Sequence, residues 1–263
     1  MKTDTSVAKP AGAAGIAGRL LPHAVFLAVL LGAWEYASRS GYLDPTFVGQ
    51  PTKIVDYLYT NLFISHELWR ELGWTLLGTF ASFILGSVFA ILTGLLFVTA
   101  PKFEKFADPY LSAFNAMPRI ALAPLFILWF GLGVASKIAI GLSLTFFIVL
   151  SSTVAGMRGI NQDHITLTRT LGASPIQLFT LVTLPGAIPV IFSGLRLGLI
   201  YAMLGVVGGE IIAAEHGLGQ TLAYLGSTFN MNGVMGVLLM LSLLGMLVTW
   251  SMTYIEKKLL AWQ

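Results

Sequence analysis

Hydrophobic residues in this chain come in long uninterrupted runs, not in the short alternations of half-buried strands or the one-sided stripes of soluble helices. From Leu72 to Ala100 no residue is charged. As a helix that run reaches about 44 Å, more than the roughly 30 Å of a bilayer's hydrocarbon core. Ile138 to Met157 is a second uncharged run, of one bilayer thickness. Leu20 to Tyr36, Gly186 to Ala213 and Met231 to Tyr254 are three more, and Gly186 to Ala213 contains Arg196 and Glu210. The sixth, Ile120 to Leu132, is the weakest, because Pro118 and Pro124 interrupt it and Arg119 stands at its start. The pattern predicts an all-α polytopic membrane protein with about six transmembrane helices.

The polar stretches complete this plan. Residues 1–18, rich in Ala, Gly and Thr, read as a disordered tail, and 19–263 as one transmembrane domain. Lys2, Lys9 and Arg19 precede the first run as they would in a signal peptide. Trp34-Glu35-Tyr36 after it is no small-residue cleavage site, so the expectation is a retained helix anchored by Trp34 and Tyr36. Gly41 to Glu71, with its Asp44-Pro45 and Gln50-Pro51 turn signals, is expected to lie along the outer membrane face, partly helical. Six spans put both termini on one side. Lys and Arg divide nine to four in favour of that side being cytoplasmic, which makes the chain a multi-pass protein of the plasma (inner) membrane.

Composition agrees: 56% of residues are hydrophobic and only 10% charged, against roughly 25% charged in soluble domains. The 15 Lys+Arg form no basic cluster, so no nucleic-acid partner is expected. Without cysteine there is no disulfide, thiolate metal site or cysteine nucleophile. His164 and His216 lack a second ligand at a convincing spacing, so no metal is expected. No Gly-Lys dipeptide occurs, hence no phosphate-binding loop of the usual ATPase kind, and no catalytic residue or enzymatic activity is assigned to this chain.

The most informative polar stretch is about 158–184. Ile165, Leu167 and Leu171, followed by Gly172 and Pro175, predict a short helix, a sharp turn and a second short helix entering the membrane. Such a knob is a handle for a partner protein, or an amphipathic connector resting on membrane lipid; the local pattern fits both. Beyond it, Gly172 is followed after nine residues by Val182-Thr183-Leu184-Pro185. That spacing resembles the Glu-Ala-Ala signature of ABC importer permeases, in which Gly, Ile and Leu-Pro fall on Gly172, Val182, Leu184 and Pro185. The Glu-Ala-Ala positions themselves fall on Thr166, Leu167 and Thr168, without the acid. Further blocks resemble the branch serving nitrate, taurine, aliphatic sulfonates and thiamine-precursor pyrimidines. They are Gly32 to Glu35, Met117 to Leu125 with Trp129 to Gly133, Leu171-Gly172-Ala173-Ser174, Gly194-Leu195-Arg196, and Glu210 seven residues before Gly217-Leu218-Gly219.

The resemblance implies a type I ABC importer permease: two membrane subunits, with a second copy of this chain as the expected partner, two cytoplasmic ATPase subunits carrying ATP and Mg, and an external solute-binding protein. It assigns coupling to the ATPase to Thr166, Leu167, Thr168, Leu171, Gly172, Ala173, Ser174, Val182, Leu184 and Pro185. The implied solute is a small anion such as a sulfonate, taurine or nitrate, or a pyrimidine precursor. An ion-gradient-driven secondary transporter is the alternative, though no internal repeat supports it; a membrane scaffold or sensor is a third class.

Three charges within or beside spans are candidates for a pathway or gate. Arg196, 11 residues after Pro185, is placed near mid-bilayer, where it lines a pathway or bonds another helix. Glu210, about 21 Å further along, is placed near the external mouth. Arg119 snorkels to the cytoplasmic interface or lines an inner gate. Gly194 with Gly198 and Gly205 with Gly209 form small-xxx-small pairs, suited to packing within the subunit or to a symmetric contact.

Overall fold

A computed structural model describes residues 13–259, with side chains from Leu21 onward. Residues 1–12 of the expected tail lie outside the described range; helix α1 (Ala13–Arg39) already begins within that tail. The 41–71 stretch is partly helical, with α2 (Pro45–Val48), α3 (Pro51–Tyr59) and a π-helical turn at Thr60–Ile64. Then come α4 (Glu67–Thr99), α5 (Pro101–Ala116), a 3-10 turn Arg119–Leu122 running into α6 (Ala123–Phe130), and α7 (Val134–Arg158). α8 (Gln162–Thr170) and α9 (Pro175–Leu178) form the knob. A second π-helical turn, Phe179–Thr183, leads into α10 (Leu184–Ile212), and α11 (Leu218–Ser227) and α12 (Met231–Leu259) complete the described chain.

Among the described residues, five helices are long and apolar enough to cross a membrane, and one bent pair, apolar enough when taken together, is a broken span or a re-entrant loop. That pair contains the weakest expected span, Ile120 to Leu132. α6 has eight residues, about 12 Å, too short to cross alone. Only Pro101–Ala116 and Arg119–Phe130 taken together are long and apolar enough, and they are bent by 85°. Pro118 causes the break: Met117 before it is extended (ψ 136°), since a residue preceding proline is driven out of the helical region.

α4, α7 and α10 pack tightly against one another because their facing sides are made of small residues. On α4 these recur at every fourth position as Gly78, Ser82, Gly86, Ala90 and Gly94. A Cβ added at Gly205 of α10 would lie 2.8 Å from the Gly141 Cα of α7, so the two backbones nearly touch. Gly194 meets Ser152, Gly198 meets Val149 and Gly209 meets Ile140, all on α7. Both small-xxx-small pairs therefore pack within one chain. α12 lies on α10 through Leu199, Val248 and Met252. In contrast, α5 buries no side chain, and α1 leaves Leu21 to Leu31 exposed.

Candidate functional site

The knob is built from strong local signals. Asn161 caps α8 by accepting from the Asp163 N–H (2.9 Å). α8 ends in a Schellman motif: Ala173 N–H donates to Thr168 O (3.2 Å), Gly172 N–H to Arg169 O (2.9 Å), and Gly172 takes the left-handed φ of 83°. Two residues on, a reciprocal capping box starts α9, with Gln177 N–H donating to Ser174 Oγ and Ser174 N–H to Gln177 Oε1. α8 packs against α9. Leu171 and Ile176 flank the turn and stay 79% and 76% exposed, and Leu167 is 60% exposed on α8. Rigid backbone thus presents apolar side chains away from the bundle.

Of the residues expected to couple, Thr166, Leu167 and Thr168 lie on α8. Leu171, Gly172, Ala173 and Ser174 make the turn, while Val182, Leu184 and Pro185 lie where the second π-helical turn passes into α10. The structure therefore groups the first seven in one knob and puts the last three on its stem. Pro175–Ile212 forms one stretch of 38 helical residues. At about 57 Å it far exceeds a bilayer, so the stem projects beyond the hydrocarbon.

Arg196 lies on that stem. Its Nη2 donates to Glu256 Oε2 on α12. Glu256 stands beside Lys257 and Lys258 in the last turn of α12, the kind of position at which a spanning helix leaves the hydrocarbon. Arg196 is thus paired between helices, one of the two roles its position allowed, and Glu256 sets it toward the knob end.

At the opposite end Glu210 is 1% exposed and sits in a polar cluster. Thr75 Oγ1 of α4 donates to its carboxylate (2.9 Å to Oε2), Gly219 N–H donates to Oε2 (2.9 Å), and Lys137 Nζ of α7 lies 4.0 Å from Oε1. Lys137, 3% exposed, also donates to the His216 carbonyl, and Gly217 N–H donates to Glu71 Oε2 (2.6 Å). Leu218 N–H donates to Thr75 Oγ1 (2.9 Å). Three N–H groups at the start of α11, left unpaired by helix geometry, thus bond side chains of α4 and α10. A Cβ at Gly217 would overlap the Glu210 carboxylate, which gives the spacing from Glu210 to Gly217-Leu218-Gly219 a steric reason. Sequence reasoning missed Lys137, Glu71 and Thr75 here, and Glu256 at the other end. The signal available for two of them was Glu71 and Thr75 one turn apart at the head of the longest apolar run.

Arg119 follows the break between α5 and the 3-10 turn. Its Nη2 donates to Asn115 O (3.1 Å) and to Asn115 Oδ1, and its guanidinium lies 4.3 Å above the Phe147 ring of α7. It bonds back along α5.

Residues 82–261 match the family of binding-protein-dependent transport system inner membrane components. The chain belongs to that family. The formylaminopyrimidine transport permease protein ThiX of Halalkalibacterium halodurans is 33% identical over 92% of this chain and 96% of its own. The taurine transport system permease protein TauC of Escherichia coli is 29% identical over 90% of this chain and 87% of its own. Among solved structures, the MetNI methionine ABC transporter in inward facing conformations is similar at a TM-score of 0.64, with 25% identity over 73% of this chain and 95% of that one. This chain is accordingly a multi-pass ABC importer permease, of a family that works with ATPase and binding-protein partners. In this permease the knob carries Thr166 and Thr168 where the Glu-Ala-Ala signature has Glu and Ala; Thr168 Oγ1 instead donates to the His164 carbonyl within α8 (2.7 Å).

Proposed function

We propose that this chain forms the solute pathway of an ATP-driven importer, pairing with a second copy of itself, and that its knob docks on a separate ATPase that binds ATP and Mg. The observation that carries the reading is the knob: Leu167, Leu171 and Ile176 are exposed on a turn fixed by a Schellman motif and a capping box. An apolar, rigid surface that projects past the hydrocarbon on a helical stem needs a protein partner, not lipid. The knob end is cytoplasmic, with both termini on that side, and the α11 end faces the external binding protein. Thr166 to Ser174 form the contact, and Val182, Leu184 and Pro185 carry its movement into α10. Of the three candidate pathway charges, Arg196 and Glu210 are engaged by Glu256 and Lys137, and Arg119 is the one that lines the pathway.

The solute is a small organic anion of the sulfonate class, in keeping with the taurine named for TauC; ThiX, named for a formylaminopyrimidine, marks pyrimidine precursors as the neighbouring chemistry. Reconstitution tests the energy source. Vesicles containing this chain, its ATPase and its binding protein should take up radiolabelled solute only with internal-face ATP. Uptake by the chain alone, driven by a proton or sodium gradient, would overturn the reading.

A further inference from the structure

Among the described residues, the cations that face the helix bundle are answered by carboxylates: Lys137 by Glu210, Arg158 by Glu104 and Arg196 by Glu256. Arg119 has none within 4 Å. Its partners are the amide of Asn115, the Asn115 carbonyl and the face of Phe147, none of which carries charge. Phe147 lies ten residues along α7 from Lys137, about 15 Å from the α11 end, which sets the guanidinium near the middle of the bilayer. A charge left unneutralised at that depth is a functional site by default, because lipid offers it nothing.

A cavity of about 370 Å³ between α4, α5 and α7 is lined in part by Asn115 and Phe147, the two residues that hold the Arg119 guanidinium. Ser112, Asn115, Phe147 and Ser151 line it toward Arg119, and Glu104 pairs with Arg158 at the knob end, where Asp108 also lines it. The volume falls in the range of small-molecule pockets. Only Nη2 of Arg119 is engaged, so most of the planar five-donor fork, the geometry that matches oxyanions, stays available.

Resting on the reading of this chain as a solute pathway, we infer that the cavity beside Arg119 is a station for the solute in transit, and that Arg119 takes its oxyanion, a sulfonate or carboxylate. Asn115 and Phe147 hold the guanidinium at the rim without neutralising it. The Ser112 and Ser151 hydroxyls offer further donors to the anion, and the Phe147 ring forms an apolar wall for the carbon portion. Asp108, eleven residues before Arg119 on the way to the knob end, makes that end of the cavity less favourable to an anion than the end beside Asn115 and Phe147.

The chain has no cysteine, so a single Ser151→Cys protein reports on the cavity without background. The full chain in lipid nanodiscs is treated with methanethiosulfonate reagents carrying a sulfonate, a trimethylammonium or no charge, and rates are normalised to a Tyr42→Cys protein, whose site is exposed. The sulfonate reagent should react about tenfold faster than the cationic one at Ser151→Cys, by electrostatic focusing in a low-dielectric cleft. Added methanesulfonate should slow it. Arg119→Gln in the same background should erase both effects, Arg119→Lys should keep part of the preference, and the uncharged reagent should react equally in all three, which shows that each is folded. A charge preference unchanged by Arg119→Gln, or a Ser151→Cys site closed to every reagent, overturns the inference. ATP-driven uptake without the Arg119-dependent preference would leave the importer reading standing and remove this site. The preference without uptake would retain an anion site and remove the importer reading.

Discussion

Gly172 has no heavy atom within 4 Å of where a Cβ would stand, so size is not what excludes other residues there; its φ of 83° is. A non-glycine residue in that conformation costs about 1–2 kcal/mol, less for Asn. Gly172→Leu should therefore leave the bundle folded while weakening ATPase binding, and Gly172→Asn should be milder, as read by co-purification of the two subunits. Equal binding by both variants and the parent would mean that the turn is not part of the contact. The Glu210 cluster is a residue-scale matter of the opposite kind, since its groups are buried and paired. Glu210→Gln leaves Lys137 facing a neutral amide and should cost about 3–5 kcal/mol, seen as a lowered unfolding midpoint in detergent. Lys137→Met combined with Glu210→Gln should cost less than the sum of the two single changes. None of this was readable from residue types: Lys137 and Glu71 look like loop charges in the sequence, and only the fold brings them to the start of α11.

Among elements, the long spans and the knob were legible for physical reasons. An uncharged run of bilayer length has few other structures available, and Gly172-Ala173-Ser174-Pro175 encodes the end of one helix and the start of the next in local hydrogen bonds. The bent pair was not legible, because α5 carries Lys102, Glu104, Lys105 and Asp108 and buries no side chain, so hydropathy alone does not mark it. The partner of Arg196 was not legible because it lies 60 residues away in the sequence. The Arg196–Glu256 pair ties α10 to α12, so Arg196→Gln and Glu256→Gln should each destabilise, with positive coupling in a double-mutant cycle. Additive effects would show that the tie is not made. The α7–α10 contact predicts a contrast between glycines. Gly205→Leu forces a side chain into the Gly141 backbone and should abolish the folded state, whereas Gly73→Ala, with open space around it, should be neutral or stabilise by up to about 1 kcal/mol.

Taken as a whole, the molecule divides its work by depth. The α11 end is locked by a buried charge cluster, and the middle holds an unmatched guanidinium beside a cavity. At the far end a projecting stem carries an apolar knob. The chain contains no nucleotide-binding loop, so the account stands on the knob passing movement from a partner. Affinity purification of the tagged chain in mild detergent, with identification of what accompanies it and an ATPase assay, tests this most directly. The account predicts a soluble ATPase in about one-to-one ratio with the permease, lost when Leu171 and Ile176 are both changed to Asp while the chain itself remains folded. A stable chain that transports its solute with no ATPase bound, or an ATPase that stays bound after both changes, would contradict it.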